Sequence, residues 1–333
     1  MTATATITAE PGVSSLLHEL AQVASYPATG YWLRHRGWDP AALDVDLTGK
    51  VCVVTGASRG LGFAAARALA RRGATVVMVC RDRARGAQAR RAIAAAGQAD
   101  RVVLETCDVA DLGAVRAFAD RFHQRFSRLD VLVNNAGVML ETLRRSADGH
   151  EVTFATNVLG SYHLARLLLP RLAAAAPSRI IHVGSAALYL QRLDVDALCS
   201  TSGAYVGALA YARSKRAVAE LNTMWAERLA GTGVTSNLMH PGLTATPGIE
   251  RAFPRYVRWF RPILRDLDQG ADTMVWLAVA HAVAGESGKL WFDRRARPAY
   301  AVPWTRSDRN SARRLWDMCA AMCDLPPDLG SCS

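Results

Sequence analysis

Tyr211 and Lys215 stand four residues apart in the stretch YARSK, near the start of a predicted helix. Side chains with this spacing lie on the same face of a helix, one turn apart. A lysine charge close to a tyrosine lowers the phenol pKa from its free value of about 10 towards neutrality. A tyrosine tuned in this way can donate a proton to a carbonyl oxygen while hydride reaches the carbon. The pair therefore predicts Tyr211 as the acid/base of a reaction that interconverts a carbonyl and an alcohol.

The neighbouring tyrosines do not offer the same arrangement. Four residues after Tyr205 comes Leu209, and four residues after Tyr189 comes Leu193. A Tyr-x-x-x-Lys match also arises by chance, so Tyr211 could instead be a half-buried helix residue with no chemical role. Other residues of the chain that could act with Tyr211 are needed to choose between these two interpretations.

A glycine-rich turn, TGASRGLG, runs from Thr55 to Gly62 directly after the apolar run VCVVT. Gly56 and Gly60 permit a tight turn and close approach of a pyrophosphate, and Gly62 permits close packing of the helix that follows. The N-terminus of that helix would face the anion. An ordinary loop between a strand and a helix needs only one such glycine, so the turn predicts a dinucleotide site.

The elements that must position these residues alternate between short runs rich in Val and Ile and longer segments with helical periodicity. This pattern predicts an α/β fold with one Rossmann-like, doubly wound, mostly parallel sheet of seven strands and helices on both faces. Strands are predicted at 51–55, 75–80, 101–107, 130–135, 179–185, 235–240 and 289–292. Helices are predicted at about 61–72, 84–96, 111–126, 148–175, 211–230 and 268–283, whereas 186–210 shows no period and is expected to be a loop.

The spacing Gly-x3-Gly-x-Gly differs from the usual GxGxxG and resembles the short-chain dehydrogenase/reductase (SDR) family. NNAG at 134–137 matches a motif of that family, and Asp108 matches its adenine-contacting aspartate. Pro241, Gly242 and Thr246 match the stretch that borders the nicotinamide carboxamide. The resemblance implies cofactor contacts from Gly56, Ser58, Arg59, Gly60, Leu61, Gly62, Arg81, Asp108, Val109, Asn135, Ala136, Gly137, Tyr211, Lys215, Pro241, Gly242 and Thr246.

The same resemblance completes a catalytic set around Tyr211 and Lys215. Ser185, at the end of HVGS, matches the active-site serine that hydrogen-bonds the substrate carbonyl. Asn157, in FATNVLGSY, matches the helix asparagine that holds a water in the proton relay to Lys215. Alone, Ser185 could be a helix N-cap and Asn157 an exposed helix residue. Four residues in family order after a matching glycine turn favour the catalytic interpretation.

The end of the second strand indicates which dinucleotide is preferred. Sites for NAD place a carboxylate there to accept hydrogen bonds from the ribose, but this chain has Cys80 followed by Arg81. A guanidinium suits a 2′-phosphate, and Arg59 could add a second positive charge. NADP(H) is therefore the preferred cofactor, with NAD(H) as the alternative because Asp82 is adjacent to Arg81. No metal is predicted, because no His/Cys/Asp cluster has the spacing of metal ligands.

Two departures from the family pattern indicate a particular branch. Gly184 takes the first position of the family's usual serine pair, which leaves Ser185 in the second. Ser185 and Tyr211 are 26 residues apart, about double the short spacing of many members. The longer loop is similar to that of retinol-dehydrogenase-like members, and the run MHPGLTATPGIE is most similar to the branch called SDR family member 12.

The chain of 333 residues is expected to form one main domain at 48–295, with an N-terminal helical extension at 1–47 and a C-terminal helical tail at 296–333 packed on it. Seven cysteines without a CxxC pair favour a reducing compartment. The N-terminus lacks the features of a signal peptide. A cytoplasmic location is therefore expected, with peripheral membrane contact through 14–36 as an alternative to simple packing of that segment.

Net charge and polar composition limit the partners. The formal net charge is +11, but the arginines are spread along predicted helices without interleaved aromatics, so nucleic acid is not an expected partner. A small carbonyl or alcohol substrate is expected, reached past a lid within 243–267 whose aromatics suit a lipophilic compound. Arg251, Arg255, Arg258 and Arg261 would equally suit an acidic one. A homo-oligomer is possible, and so is a nucleotide sensor or scaffold that has kept the fold and lost the chemistry.

Overall fold

The computed structural model describes residues 26–199, 204–246, 250, 258–300 and 305–329. The part of the predicted N-terminal helix before Tyr26 lies outside these residues, as do residues 247–249 and 251–257 of the predicted lid, including Arg251 and Arg255. Within the described ranges the strands are β1 (Val51–Thr55), β2 (Thr75–Cys80), β3 (Val102–Thr106), β4 (Val131–Asn134), β5 (Ser178–Val183), β6 (Val234–Met239), β7 (Leu290–Phe292) and β8 (Arg295–Arg297).

These strands form one sheet in the order β3-β2-β1-β4-β5-β6-β7-β8. Every neighbouring pair from β3 to β7 is parallel. The direction of winding reverses between β1 and β4, which is where doubly wound sheets bind their ligands, at the carboxyl ends of the strands. The predicted α/β doubly wound fold is confirmed, and each predicted strand lies within two residues of an observed one.

The predicted number of seven strands is wrong by one, because β8 adds a short antiparallel strand at the edge. Its sequence is Arg-Ala-Arg, which carries no apolar alternation that could reveal a strand. The turn before it is Asp293-Arg294, and both residues have positive φ angles, 51° and 55°. Tight hairpins of the primed types need this backbone conformation, but Asp-Arg is not one of their usual sequences.

The helices cover both faces of the sheet. They are α1 (Ala28–His35), α2 (Gly60–Arg71), α3 (Arg83–Ile93), α4 (Leu112–Arg125), α5 (Gly160–Ala174), α6 (Val195–Cys199), α7 (Gly207–Arg228), α8 (Leu267–Val279) and α9 (Arg309–Met322). A short turn, Val152–Phe154, and a π-helical turn, Ala155–Leu159, lead into α5. Among the described helices, none combines the length and apolar character needed to cross a bilayer.

Alternating side chains of the central strands pack into two separate apolar layers, one on each face of the sheet. In β1, Val51 and Val53 join the layer under α4, α5 and α7, whereas Cys52 and Val54 join the layer under α2, α3 and α8. This division is expected of a strand buried on both faces. The layer under α7 extends to α9 through Trp316, whose ring centroid lies 4.9 Å from that of Trp225.

The stretch 186–210, predicted to be a loop, contains more regular structure than expected. It holds a 3₁₀ turn at Ala186–Leu190 and the helix α6, and α7 begins at Gly207, four residues before the predicted start. Val195 and Leu198 bury the inner face of α6. A helix of five residues is too short to display a helical period, so periodicity could not reveal it.

Three buried histidines predict an acid-sensitive fold. Burial lowers the pKa of His163 to about 4 and the pKa of His182 and His240 to about 3. Below about pH 6.5 these histidines bind protons in the unfolded chain but stay neutral in the folded chain. The free energy of unfolding that they leave intact above that pH is therefore lost on acidification. Each histidine should remove up to about 1.4 kcal/mol of unfolding free energy per pH unit between about pH 6 and 4.

Urea unfolding at several pH values would measure this slope, and a variant can separate one histidine from the rest. Neither ring nitrogen of His163 has a hydrogen-bond partner within the described residues. His163→Leu should therefore flatten the slope by about 1.4 kcal/mol per pH unit, whereas the same substitution at the exposed His281 should not. Equal slopes in the wild type and in His163→Leu would contradict the prediction.

Candidate active site

The glycine turn after β1 is joined to the NNAG loop after β4 through Thr55. The Thr55 hydroxyl accepts hydrogen bonds from the backbone N–H groups of Asn135 at 3.0 Å and Ala136 at 2.9 Å. In return, the Asn135 side chain donates to the Thr55 carbonyl at 2.8 Å. The two loops at the reversal point of the sheet are thus fixed to each other.

Glycine is required at two positions in this joint. Gly56 has a φ angle of 66°, and a Cβ there would lie 3.0 Å from the Cα of Ala136. A Cβ on Gly62 would lie 2.6 Å from the Gly56 carbonyl oxygen. Because these contacts leave no room for a side chain, the first turn of α2 lies directly against the loop. Its free N–H groups end at the cleft, an arrangement suited to binding an anion.

The other sequence-predicted residues of the glycine turn lie ahead of α2 or in its first turn. Ser58 is half-buried and Arg59 is exposed, both ahead of the first residue of α2. Leu61 is buried within α2. Val109 is buried after β3, and its carbonyl lies where a Cβ on Gly160 would overlap it.

The end of β2 presents Arg81 beside Asp108. The Arg81 guanidinium is 65% exposed and lies 3.8 Å from a carboxylate oxygen of Asp108, a loose contact. The neighbouring Asp82 caps α3 instead: it accepts the backbone N–H of Arg85 at 3.1 Å and pairs with the Arg85 guanidinium at 3.3 Å. Cys80 is buried, and burial raises the pKa of its thiol to about 11. Arg81 is therefore an exposed and only loosely paired positive charge at the end of β2.

Ser185, Tyr211 and Lys215 come together at the carboxyl end of β5. The Ser185 side chain lies close enough to the phenol of Tyr211 to lower the pKa of that phenol. Lys215 lies one turn further along α7, with its ammonium group 5.5 Å from the centroid of the Tyr211 ring. That ammonium group donates to the Val183 carbonyl at 2.7 Å. The strand end and the helix thus hold all three polar groups in one place.

Asn157 lies in the π-helical turn before α5, a type of distortion that is frequent at functional sites. Its side-chain oxygen accepts the N–H of Val138 at 2.8 Å, and its amide donates to the Val138 carbonyl at 3.0 Å. The same amide donates to Ser214 at 2.9 Å, and the Ser214 hydroxyl donates to the Tyr211 carbonyl at 2.7 Å. Ser214 was not singled out from the sequence, although it stands inside the YARSK stretch.

The backbone at Gly137 brings the asparagine and the lysine close together. A Cβ at Gly137 would lie 3.4 Å from the Asn157 side-chain oxygen and 3.6 Å from the Lys215 ammonium nitrogen. The structure therefore gathers all four predicted catalytic residues, Asn157, Ser185, Tyr211 and Lys215, beside the NNAG loop.

The electrostatics differ from the sequence expectation in one respect. Burial raises the pKa of Tyr211, and Ser185 only partly opposes this. Burial also lowers the pKa of Lys215 to about 8. The depression of the phenol pKa expected from Lys215 together with the positive nicotinamide is therefore not produced by the protein groups alone, because burial of the phenol dominates.

The loop at 241–246, after β6, is hydrogen-bonded to the backbone of Tyr26 near the start of the described chain. Gly242 has a φ angle of 69°, and Leu243 N–H donates to the Tyr26 carbonyl at 2.9 Å. Arg265 donates to the same carbonyl at 2.8 Å. It also forms a two-pronged ion pair with Asp293 at 2.5 and 2.9 Å.

Arg265 and Asp293 are each only 2% exposed, and Arg34 of α1 adds a third contact to Asp293 at 2.7 Å. The predicted cofactor residues Pro241, Gly242 and Thr246 lie on this braced loop. This brace, formed by Tyr26, Arg265 and Asp293, was not predicted from the sequence, because its members are far apart in the chain and carry no motif. Within the described residues, no group of three or more His, Cys, Asp or Glu side chains could hold a metal ion.

Comparisons with known proteins show which family the chain belongs to. The short chain dehydrogenase family matches residues 50–256, more than half of the chain. Retinol dehydrogenase 12 of Bos taurus is 37% identical over 277 residues, covering 83% of this chain and 86% of the relative. Dehydrogenase/reductase SDR family member 12 of Homo sapiens is 36% identical over 271 residues, covering 81% and 84%.

A solved structure adds a relative with a bound cofactor. The short chain dehydrogenase from Burkholderia cenocepacia J2315, in complex with NADP, superposes with a TM-score of 0.59 at 28% identity, covering 73% of this chain and 96% of that one. The chain is a dehydrogenase/reductase of the oxidoreductase type. It belongs to the short-chain dehydrogenase/reductase family, in the branch that contains the retinol dehydrogenases.

Proposed function

We propose that the protein is an NADP(H)-dependent oxidoreductase that interconverts a ketone or aldehyde and the corresponding alcohol. The observation that carries the proposal is the gathering of Ser185, Tyr211 and Lys215 at the carboxyl end of β5, with the Lys215 ammonium group 5.5 Å from the centroid of the Tyr211 ring. A nucleotide sensor needs the cleft but has no use for this cluster of polar side chains.

In the reductive direction, Tyr211 donates its proton to the carbonyl oxygen and Ser185 donates a hydrogen bond to the same oxygen. When bound, the nicotinamide supplies hydride for reduction or accepts it in oxidation. Lys215 returns a proton to the phenolate, and Asn157 holds the water that feeds it. The approach of the Asn157 oxygen and the Lys215 nitrogen to Gly137 supports this relay. A phenol whose pKa is raised by burial is protonated at neutral pH, as reduction requires.

The cleft suits a dinucleotide in its chemistry. The N–H groups of the first turn of α2, which have no partner within the helix, would bind the pyrophosphate, and Asp108 would face the adenosine half. The loop at 241–246 would border the nicotinamide. The NADP complex of the Burkholderia cenocepacia relative supports a nicotinamide cofactor for this chain.

Selectivity for NADP(H) is assigned to Arg81, with Arg59 as a second cation. Arg81 is exposed and only loosely paired, so it can turn towards a 2′-phosphate, whereas Asp82 is occupied by its own helix. Arg81→Ala should raise the Kd for NADPH by about tenfold or more, the effect of losing a charged hydrogen bond. The Kd for NADH should hardly change.

Arg83→Ala is a matched control, since Arg83 is exposed two residues further along the same segment. Titration of both nucleotides by fluorescence would give the four dissociation constants. Equal losses of NADPH and NADH affinity in Arg81→Ala would exclude the 2′-phosphate assignment.

A lipophilic substrate is proposed from the apolar side chains left in solvent near the strand ends. Leu190 is 73% exposed and follows the serine turn, and Trp259 and Phe260 are 76% and 43% exposed. The names of the relatives support this class. Arg258 and Arg261 of the same segment would favour an acidic substrate instead.

We further propose that the protein is located in the cytoplasm or at a membrane surface, as a monomer or a homo-oligomer.

Product analysis would test the activity and the substrate class together. Purified protein would be incubated with NADPH deuterated at the transferable position and with matched pairs of lipophilic and acidic ketones and aldehydes. A deuterated alcohol in the mass spectrum is expected from the lipophilic members. Deuterium only in the acidic products would overturn the substrate class, and none in any product would contradict the reductase.

A further inference from the structure

Arg216, the residue after Lys215, has a completely buried guanidinium group. It donates to the Leu188 carbonyl at 2.9 and 3.2 Å and to the Gln191 carbonyl at 3.0 Å. A further bond, at 2.9 Å, reaches the Ala299 carbonyl. A buried charge is costly unless its hydrogen-bonding capacity is used, and here one side chain holds two separate segments against α7.

Glu220, one turn further along α7, neutralises this charge. Its carboxylate lies 3.5 Å from the Arg216 guanidinium. It also accepts bonds from the Tyr300 hydroxyl at 2.9 and 3.1 Å and from Ser307 at 2.8 Å. The Tyr300 ring covers the guanidinium, with 4.7 Å between the ring centroid and Cζ. The network is closed and internally satisfied, which is the condition for a buried polar cluster to fix one conformation.

The segment that Arg216 holds begins at the catalytic serine. Ser185 is the N-cap of the 3₁₀ turn at Ala186–Leu190, and its hydroxyl accepts the N–H of Ala187 at 3.3 Å. The two carbonyls bound by Arg216 lie in the middle of this turn, at Leu188, and directly after it, at Gln191. The turn is therefore fixed at one end by β5 and at the other by Arg216, with Ser185 between them.

We propose that Arg216 is a positioning residue that sets the place of Ser185 relative to Tyr211 by clamping the turn at Ala186–Leu190 to the catalytic helix. The inference rests on the proposed function for its kinetic effect, but not for its structural one. Arg216 contacts none of the reacting groups. It lies on the same helix that carries Tyr211, so the clamp fixes the serine turn and the tyrosine to one rigid element.

Arg216→Lys is the test, because it keeps the charge and removes the fork that binds two carbonyls at once. Arg166→Lys is the matched control: Arg166 is also buried and also binds carbonyls, at Pro326 and Asp328, away from the serine turn. In Arg216→Lys, kcat should fall between about tenfold and 10²-fold, as expected for a small misplacement of a catalytic group. The Kd for NADPH should stay within about twofold of wild type.

Two further readouts separate positioning from simple loss of stability. Ser185 lowers the pKa of Tyr211, and a displaced Ser185 would lower it less. The alkaline limb of the pH profile of kcat should therefore move to higher pH in Arg216→Lys. The carbon-13 signal of the Tyr211 Cζ, assigned with Tyr211→Phe, should move towards its position in Ser185→Ala. Arg166→Lys should show neither change.

The NMR comparison needs no turnover, so it decides the inference by itself. A Tyr211 signal in Arg216→Lys that stays at the wild-type position would overturn the role of Arg216, whatever the kinetics. Absence of turnover in the wild type, with the signal shifted as expected, would instead contradict the proposed reductase and leave the clamp supported.

Discussion

Tyr211→Phe is expected to lower kcat by about 10²–10⁴-fold, the contribution of a positioned acid/base group. The phenylalanine ring fills the same buried space, so the fold and the cleft should remain intact. Binding of NADPH should be nearly unchanged, because the phenol acts in proton transfer and not in anchoring the nucleotide. Steady-state kinetics with any substrate found, together with a nucleotide titration, would measure both quantities.

Tyr205→Phe supplies the matched control. Tyr205 also has a bonded hydroxyl, 2.9 Å from Glu151 and 3.2 Å from Thr153, but it lies outside the catalytic cluster. Its loss should leave kcat within about twofold of wild type. Substantial reductase activity remaining in Tyr211→Phe would remove the tyrosine from the mechanism.

Asp293→Asn should have the largest effect on stability. The substitution removes the negative charge from a pair in which both side chains are almost fully buried, leaving Arg265 uncompensated. Breaking such a pair typically costs about 3–5 kcal/mol of unfolding free energy. Asparagine tolerates the positive φ angle at this turn, so backbone strain does not confuse the result. Urea unfolding at neutral pH would measure the loss.

The exposed pair between Arg314 and Asp196, with an N–O distance of 2.9 Å, provides the comparison. Asp196→Asn should cost less than about 1 kcal/mol, because solvent screens such pairs. If Asp293→Asn cost no more than this, the brace behind the loop at 241–246 would not be an important source of stability.

The sequence predicts the sheet well because its inner strands are buried on both faces and read as continuous apolar runs. It fails at β8, where an edge strand of Arg-Ala-Arg buries almost nothing, and at α6, which is too short to show a period. Strand order was also beyond periodicity, since a local pattern does not state which strands are neighbours.

For the site, the glycine turn and the Tyr211 pair could be found because their chemistry demands fixed spacing. Arg216 directly follows the YARSK stretch, yet its contacts with the carbonyls of Leu188 and Ala299 depend on tertiary packing and could not be predicted from the sequence. The brace of Tyr26, Arg265 and Asp293 joins three distant parts of the chain. The raised pKa of Tyr211 likewise depends on burial, which no motif reports.

The central claim is hydride transfer from NADPH to a carbonyl. The most direct test records NADPH and NADH binding by the purified protein and then follows nucleotide oxidation as ketones and aldehydes are added. We predict tight NADPH binding and oxidation that requires both a carbonyl compound and Tyr211. Failure to bind either nucleotide, or binding with no oxidation by any member of a broad panel, would contradict it.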